Sequence, residues 1–329
     1  MPPRPQRFSS VLKAGVPPRH LLSAGLLLAA AVPSVQAARA HRRRRTLLPT
    51  LPAYPPVFPG SHRILTLPDA EVSLWRRRGS DPSLPPAVLL HGWGSSAAST
   101  YHSLAALLPC DVYAFDLPGH GRAPTPEVFS LAVTADLFVS ALESLDLERP
   151  PLLMGHSLGG ALALLMTARL GPDRLSGLVL SATSAYFDWP QFRAALRVAH
   201  LLRTPSSPVA LWVHFRRLGM LDPELAPLST WTFQAAPAPH VLRQAAMELL
   251  RFDASDLSGL ALPDRSLFII PADDTTIPLR HQLASARRLG VESVVVPGPH
   301  SLPFTAPAKI AELVCGMLGR SSEAAQPVA

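Results

Sequence analysis

A chain of 329 residues, 48% hydrophobic and 16% charged, is long enough for one large domain with a substantial core and too apolar to be disordered. Its formal charge of +7 would suit a nucleic-acid or membrane binder, but that charge is confined to one end. Residues 1–68 carry ten Lys/Arg and no acid, and the remainder carries 20 Lys/Arg against 23 Asp/Glu, a net of −3, so a nucleic-acid role for the folded part finds no support.

The first segment begins with Arg4, Arg7, Lys13 and Arg19, continues with an apolar run from Leu21 to Val32, and ends in small residues around Ala37, Ala38 and Ala40. That is the pattern of an export signal. The apolar run is short for a membrane span. Arg39 and Arg42 to Arg45 place five charges just behind it, where a translocating segment avoids them. An acid-free, Arg-rich stretch also fits a mitochondrial transit peptide, and a start assigned too far upstream is a third reading, which would leave the protein cytoplasmic. We take residues 1–45 as a signal-like or targeting leader, through which alone the protein would touch a membrane if it stays uncleaved. Residues 46–61 are proline-rich and read as an extended linker, and 323–329 as a flexible tail. The two cysteines, Cys110 and Cys315, do not make a disulfide framework and are expected to be small buried apolar residues.

From residue 62 the pattern changes to alternating strands and helices. Ile64 to Leu67 and Val72 to Trp75 predict an antiparallel hairpin around Pro68-Asp69. Strands follow at Ala87 to Leu90, Val112 to Phe115, Pro151 to Met154, Leu178 to Leu180, Leu267 to Ile270 and Val291 to Val296. Helices are expected at Ser99 to Leu108, Phe129 to Leu145, behind Ser157 as far as Gly171, and at Ala308 to Leu318. Such alternation gives an α/β fold, a mostly parallel twisted sheet with helices on both faces. Residues 183–262 interrupt it with helical segments that carry Phe187, Trp189, Phe192, Trp212, Phe215, Trp231 and Phe233, and read as an insertion lying over the strand ends.

The chemistry is concentrated at Gly155-His156-Ser157-Leu158-Gly159-Gly160. Gly-x-Ser-x-Gly arises often by chance, but here it lies between a predicted strand and a predicted helix. In that setting it is a nucleophile elbow, a turn too tight for Cβ atoms beside the serine, which lifts the hydroxyl clear of the sheet. A serine hydroxyl is a poor nucleophile at neutral pH and needs a base, with a third group to orient that base. The elbow predicts the chain order serine, acid, histidine. An acid pair, Asp273-Asp274, follows the strand ending at Ile270, and His300 follows the strand ending at Val296. All three therefore leave the carboxyl ends of strands on one rim. The oxyanion of an acyl-transfer intermediate would be held by the backbone N–H of Leu158 and by one from His91-Gly92-Trp93-Gly94, with Trp93 the expected donor. His91 is expected to brace that loop and not to touch substrate.

On His91-Gly92-Trp93-Gly94, Asp116-Leu117-Pro118-Gly119-His120-Gly121, the Ser157 elbow, Asp274 with Pro278, and His300, the chain resembles the α/β-hydrolase superfamily of the serine type, from about residue 62 to 320. The acid loop of that family commonly reads Gly-x-x-Asp-x-x-x-Pro. Counting back from Pro278 selects Asp274 as the acid, with Asp273 in reserve. Pro271 and Pro299 stand where the family usually has glycine. The resemblance implies a structural role for Asp116, and Ser157 argues against the haloalkane dehalogenases and epoxide hydrolases, whose nucleophile is aspartate. It leaves esterases, lipases, lactonases, C–C bond hydrolases, acyltransferases and cofactor-free haloperoxidases open. The His91 loop and the insertion are similar to those of the carboxylesterase acting on pimeloyl methyl ester in biotin synthesis.

The expectation is thus a serine hydrolase of carboxylic esters acting on a small-molecule ester. Ser157, Asp274 and His300 would form its triad, Trp93 and Leu158 its oxyanion hole, and no metal or organic cofactor is implied. A catalytically silent, substrate-binding relative is the alternative from another class. Between Trp189 and Leu221 the chain carries Arg193, Arg197, Arg203, Arg216 and Arg217 and no acid. Two readings stand for this set: a solvated helix face whose arginine stems cover apolar surface, or a positive roof that attracts an acidic substrate.

Overall fold

A computed structural model describes residues 58–190, Arg193 and residues 237–319. The leader, residues 46–57 of the linker, Phe192, Trp212, Phe215, Trp231, Phe233, four of the five arginines and the C-terminal tail lie outside the described residues.

Strands β1 (Ser61–Thr66) and β2 (Glu71–Arg77) form the expected antiparallel hairpin, closed by Leu67 N–H donating to the Ala70 carbonyl at 2.8 Å. β2 runs antiparallel to β4 (Val112–Asp116). The other neighbouring pairs are parallel and involve β3 (Ala87–Leu90), β5 (Leu152–His156), β6 (Gly177–Ser181), β7 (Ser266–Pro271) and β8 (Glu292–Val296). The strand order is β1-β2-β4-β3-β5-β6-β7-β8. β3 is therefore the switch point, with β4 on one side and β5 on the other. In open α/β sheets ligands bind at the carboxyl ends of the strands at such a point.

Strands β3 to β7 are apolar nearly throughout because both faces are covered, whereas the edge strands β1 and β8 are largely exposed. Val88, Leu90, Leu153, Leu178, Leu180, Phe268 and Ile270 pack on one face with helices α2 (Leu131–Glu143) and α3 (Leu158–Leu170). Their alternates Ala87, Leu89, Leu152, Met154, Val179, Leu267 and Ile269 pack on the other with α1 (Ala97–Leu107) and α6 (Pro307–Met317). A one-residue slip in any of these strands would exchange the two sets, so register and helix placement are fixed together.

Local signals end the helices within two residues of the expected bounds, and α3 at Gly171 as expected. Ser96 and Ser99 make a capping box on α1, Ser130 caps α2, and Gly171 ends α3 with φ of 80°. The Asp116 carboxylate accepts from Ser73 Oγ and Trp75 Nε1 at 2.9 Å, from Ala97 N–H at 2.8 Å and from Arg122 N–H at 3.1 Å. It joins β2, α1 and the 116–122 turn, the structural role expected of it. Both cysteines are buried and outside any disulfide, and burial pushes the Cys110 thiol up to about 12.

Of two further helices, α4 (Pro239–Arg251) precedes β7 and falls within the stretch 183–262 read as helical. The other, α5 (Leu279–Leu289), lies between β7 and β8 and goes beyond the elements singled out in the sequence. α5 is mostly polar, yet Leu279, Leu283, Ala286 and Leu289 recur at helical spacing and Gly290 caps its end in the left-handed conformation. Of the proposed insertion, its two ends are described and they meet. Tyr186 pairs with Asp253 in an antiparallel bridge, and Ala254 N–H donates to the Ala185 carbonyl at 2.8 Å. Among the described residues no helix is long and apolar enough to cross a membrane.

Candidate active site

Ser157 ends β5 at the entry to α3 with φ of 54° and ψ of −118°, a backbone conformation that side-chain-bearing residues rarely adopt. Such strain costs on the order of 1–3 kcal/mol and persists only where the surroundings over-determine it. Here Ser157 N–H donates to the Ser181 carbonyl at 2.9 Å, and Thr183 Oγ1 and Gly160 N–H donate to the Ser157 carbonyl at 2.6 and 2.9 Å. The flanking glycines are required by contact. A Cβ on Gly155 would stand 2.2 Å from the Gly159 carbonyl oxygen, and one on Gly159 would stand 2.1 Å from that of Leu90.

The three residues picked from separate loops converge. His300 Nε2 lies 3.0 Å from Ser157 Oγ, and His300 Nδ1 lies 2.8 Å from Asp274 Oδ2. All three are buried. Asp274 Oδ1 accepts from the backbone N–H groups of Thr276 and Ile277 at 2.7 and 2.9 Å, and Gln282 Nε2 donates to Oδ2 at 2.9 Å. The carboxylate therefore accepts from three donors besides the imidazole it faces. Asp273, the reserve candidate, is exposed, and its Oδ2 accepts from Gly298 N–H at 3.1 Å. Asp273 N–H also donates to the Gly298 carbonyl at 3.0 Å, so the two loops carrying Asp274 and His300 are laced together although prolines replace the usual glycines.

The loop after β3 runs against the serine, since a Cβ on Gly92 would lie 3.1 Å from Ser157 Cβ. Gly92 thus lies against Ser157, with Trp93 next to it in the loop and Leu158 opening α3. His91 braces the loop, as expected. Its Nδ1 lies 2.8 Å from the Gly92 carbonyl, and its Nε2 accepts from Leu117 N–H at 3.0 Å. Accepting at Nε2 requires the neutral ring, and burial lowers the His91 pKa to about 4. His156, with its ring 5.1 Å from that of His300, is pushed well below the ordinary value by burial first and then by His300. It adds no charge beside the imidazole. Among the described residues no group of His, Cys, Asp or Glu could hold a metal ion.

Residues 87–313 match the alpha/beta hydrolase family. The chain belongs to that family.

Several solved structures share this hydrolase's fold. An esterase from Thermogutta terrifontis superposes with a TM-score of 0.64 at 24% identity, covering 79% of this chain and 98% of its own. An esterase from Exiguobacterium antarcticum gives a TM-score of 0.67 at 18% identity, covering 79% of this chain and 100% of its own. A bromoperoxidase from Bacillus anthracis gives 0.61 at 18% identity, with coverages of 79% and 100%. These likenesses speak for the fold alone. Among curated relatives, a pimeloyl-[acyl-carrier protein] methyl ester esterase of Neisseria meningitidis serogroup A is 36% identical over 130 residues, which is 36% of this chain and 39% of the relative. One from Serratia marcescens is 36% identical over 113 residues, 32% of this chain and 41% of the relative. The chain thus spans less than half the length of the curated relatives it matches.

In this alpha/beta hydrolase, three contributors to the site went unread in the sequence: Thr183 on the elbow carbonyl, Gln282 on Asp274, and the Leu242 carbonyl, which accepts from Trp93 Nε1 at 2.8 Å. The helical spacing of α5 and the proximity of Gln282 to Pro278 were the available signals for one of them. Threonine and a helix carbonyl carry none. Arg193, the one described member of the arginine set, is exposed and ion-paired with Asp188, which lies just outside the acid-free interval.

Proposed function

We propose that this chain is a serine hydrolase of carboxylic esters. The observation that carries the reading is the continuous relay from Ser157 Oγ to His300 to Asp274, at 3.0 and 2.8 Å, on the carboxyl rim of the sheet. As Ser157 Oγ attacks the ester carbonyl carbon, His300 Nε2 takes the hydroxyl proton, and Asp274 holds the imidazolium through Nδ1–H. The backbone N–H groups of Trp93 and Leu158 receive the negative charge that develops on the carbonyl oxygen. Collapse of the tetrahedral intermediate breaks the bond to the alkoxy oxygen, which leaves with the proton from Nε2. A water molecule, deprotonated by His300, then attacks the acyl-enzyme, and the carboxylic acid departs as Ser157 Oγ regains a proton.

Incubation with a fluorophosphonate probe, followed by peptide mapping, tests this. Labelling at Ser157 together with turnover of p-nitrophenyl esters is expected. Folded protein that takes no label at Ser157 would favour a silent binding relative.

The activity for which the curated relatives are named gives the substrate class we propose: the methyl ester of an acyl group, either free with a distal carboxylate or attached to an acidic carrier protein. Arg197, Arg203, Arg216 and Arg217 supply the matching positive charge in the sequence, while Arg193 is engaged by Asp188. Steering of this kind is screened by salt. kcat/KM for an ester with a distal carboxylate should fall between low salt and about 0.5 M, where the Debye length is a few ångströms, while a neutral ester of equal length stays level. Equal responses of the two esters would remove the acidic-substrate reading and leave the hydrolase standing.

A further inference from the structure

Helix α5 delivers a fully buried amide to Asp274. Gln282 stands one turn into the helix, and its Nε2 donates to Asp274 Oδ2 at 2.9 Å and to the Ile277 carbonyl at 2.7 Å. Oδ2 is the same oxygen that faces His300 Nδ1 at 2.8 Å. A carboxylate and a carbonyl only accept, so together they fix which end of the amide points at them. Oε1 is thereby turned into the core, where it meets no donor among the described residues. An unmatched buried amide oxygen destabilises the fold, and a methionine would fill similar space without it. A polar group kept at such a position has some use other than packing.

Resting on the ester-hydrolase reading above, we infer that Gln282 is a positioning residue, which sets the direction of Asp274 and the strength of its pull on His300. It touches neither substrate nor Ser157. With its N–H on Oδ2, part of the negative charge of that oxygen is committed to the amide and less is left to hold the His300 proton. The imidazolium formed during attack is stabilised yet still gives up its Nε2 proton to the leaving alkoxide. Without the amide, Oδ2 grips the imidazolium harder, and the carboxylate is freer to turn about its terminal torsion. Among the described residues no other charged group competes for this role. His156 is neutral beside His300, His281 stacks on Trp189 with ring centroids 4.6 Å apart, and Asp273 and Arg280 are exposed.

Two variants test it in the full-length protein, with a p-nitrophenyl ester as substrate. Gln282→Met should lower kcat about tenfold with KM unchanged and move the acid limb of kcat/KM upward by about half to one pH unit, since a lost donor to the carboxylate makes the paired imidazole more basic. Gln282→Glu serves as the conservative replacement and still reports if the methionine variant fails to fold. Above the acid limb, as long as its carboxyl stays protonated, it donates to Oδ2 and supports turnover. As the pH rises it ionises against Asp274, so kcat/KM gains a falling limb that the unaltered protein lacks. If the folded variants keep the unaltered kcat and pH profile, Gln282 only packs and the inference is overturned. If the unaltered protein neither turns over esters nor takes a fluorophosphonate at Ser157, the hydrolase reading fails and takes this inference with it.

Discussion

The Trp93 indole donates from Nε1 to the Leu242 carbonyl at 2.8 Å, joining the loop after β3 to helix α4 across 149 residues of sequence. Other bonds hold that helix in place. Gln244 Oε1 and Glu248 Oε2 accept from Phe129 N–H and Leu131 N–H at 2.8 and 3.2 Å, and His240 Nε2 lies 3.0 Å from the Pro126 carbonyl. The loop that carries Trp93, whose Gly92 lies against Ser157, thus leans on a helix fixed from elsewhere. Trp93→Phe keeps the backbone N–H and the ring contact and removes the tether. Stability should fall by about 1 kcal/mol, the net worth of one such bond. kcat should fall several-fold with little change in KM, as read by steady-state kinetics on a p-nitrophenyl ester. An unchanged kcat would mean that the loop holds its position without α4.

Asp274 and Asp273 are neighbours with opposite surroundings, so their asparagine variants should separate cleanly. In Asp274→Asn an amide NH₂ would have to face either the N–H groups of His300 and Gln282 or those of Thr276 and Ile277, donor against donor in both cases. The imidazole then takes the wrong tautomer, and turnover should drop by up to about 10⁴-fold. Asp273→Asn keeps an acceptor for Gly298 N–H and should cost less than threefold, on the order of the usual surface effect. Parallel kcat measurements on the two purified variants check the ranking, and the reverse order would move the acid to Asp273.

Replacing the strained serine should trade activity for stability. At φ of 54° and ψ of −118°, Ser157→Gly places the residue that prefers this region where serine is held against its preference. The variant should be inactive and more stable by about 1 kcal/mol, raising the thermal midpoint by roughly 2–4 °C. Differential scanning calorimetry of both proteins reads the shift. A lower midpoint for the glycine variant would mean that the hydrogen bond of Ser157 Oγ to His300 outweighs the relieved strain.

Acid should weaken the fold before it protonates any surface carboxylate. Burial lowers His91 from 6.5 to about 4, and burial and then His91 lower His120 from 6.5 to about 3. Because both folded values lie below the ordinary one, the unfolded chain binds protons first as the pH falls. Stability is therefore full above about pH 6.5 and is lost progressively below it, by up to about 1.4 kcal/mol per pH unit for each histidine. Urea midpoints measured from pH 7.5 to 5 should show the decline, and His91→Asn should flatten it while lowering stability at neutral pH. An equally steep decline in that variant would remove His91 from the account.

Local signals in the sequence determined most of the α/β hydrolase framework. Unbroken apolar strands, helices bounded by Ser96, Ser130, Gly171 and Gly290, and the glycines at 155 and 159 act within a few residues of one another, and such short-range constraints are written in spacing. Ser157, Asp274 and His300 were legible for the same reason, since each follows directly on a strand end and parallel strands put all those ends on one rim. Helix α5 was less legible because its apolar stripe is thin and its buried amide looks like any surface glutamine until the helix is laid against β7. The tertiary structure alone decided that Gln282 meets Asp274, that Trp93 reaches Leu242, that Thr183 holds the elbow carbonyl, and that β3 rather than β4 sits beside β5. Those contacts join residues far apart in the chain through single hydrogen bonds, which leave no periodicity behind them. They exist only once the two faces of the sheet have been packed and every strand has been locked in register.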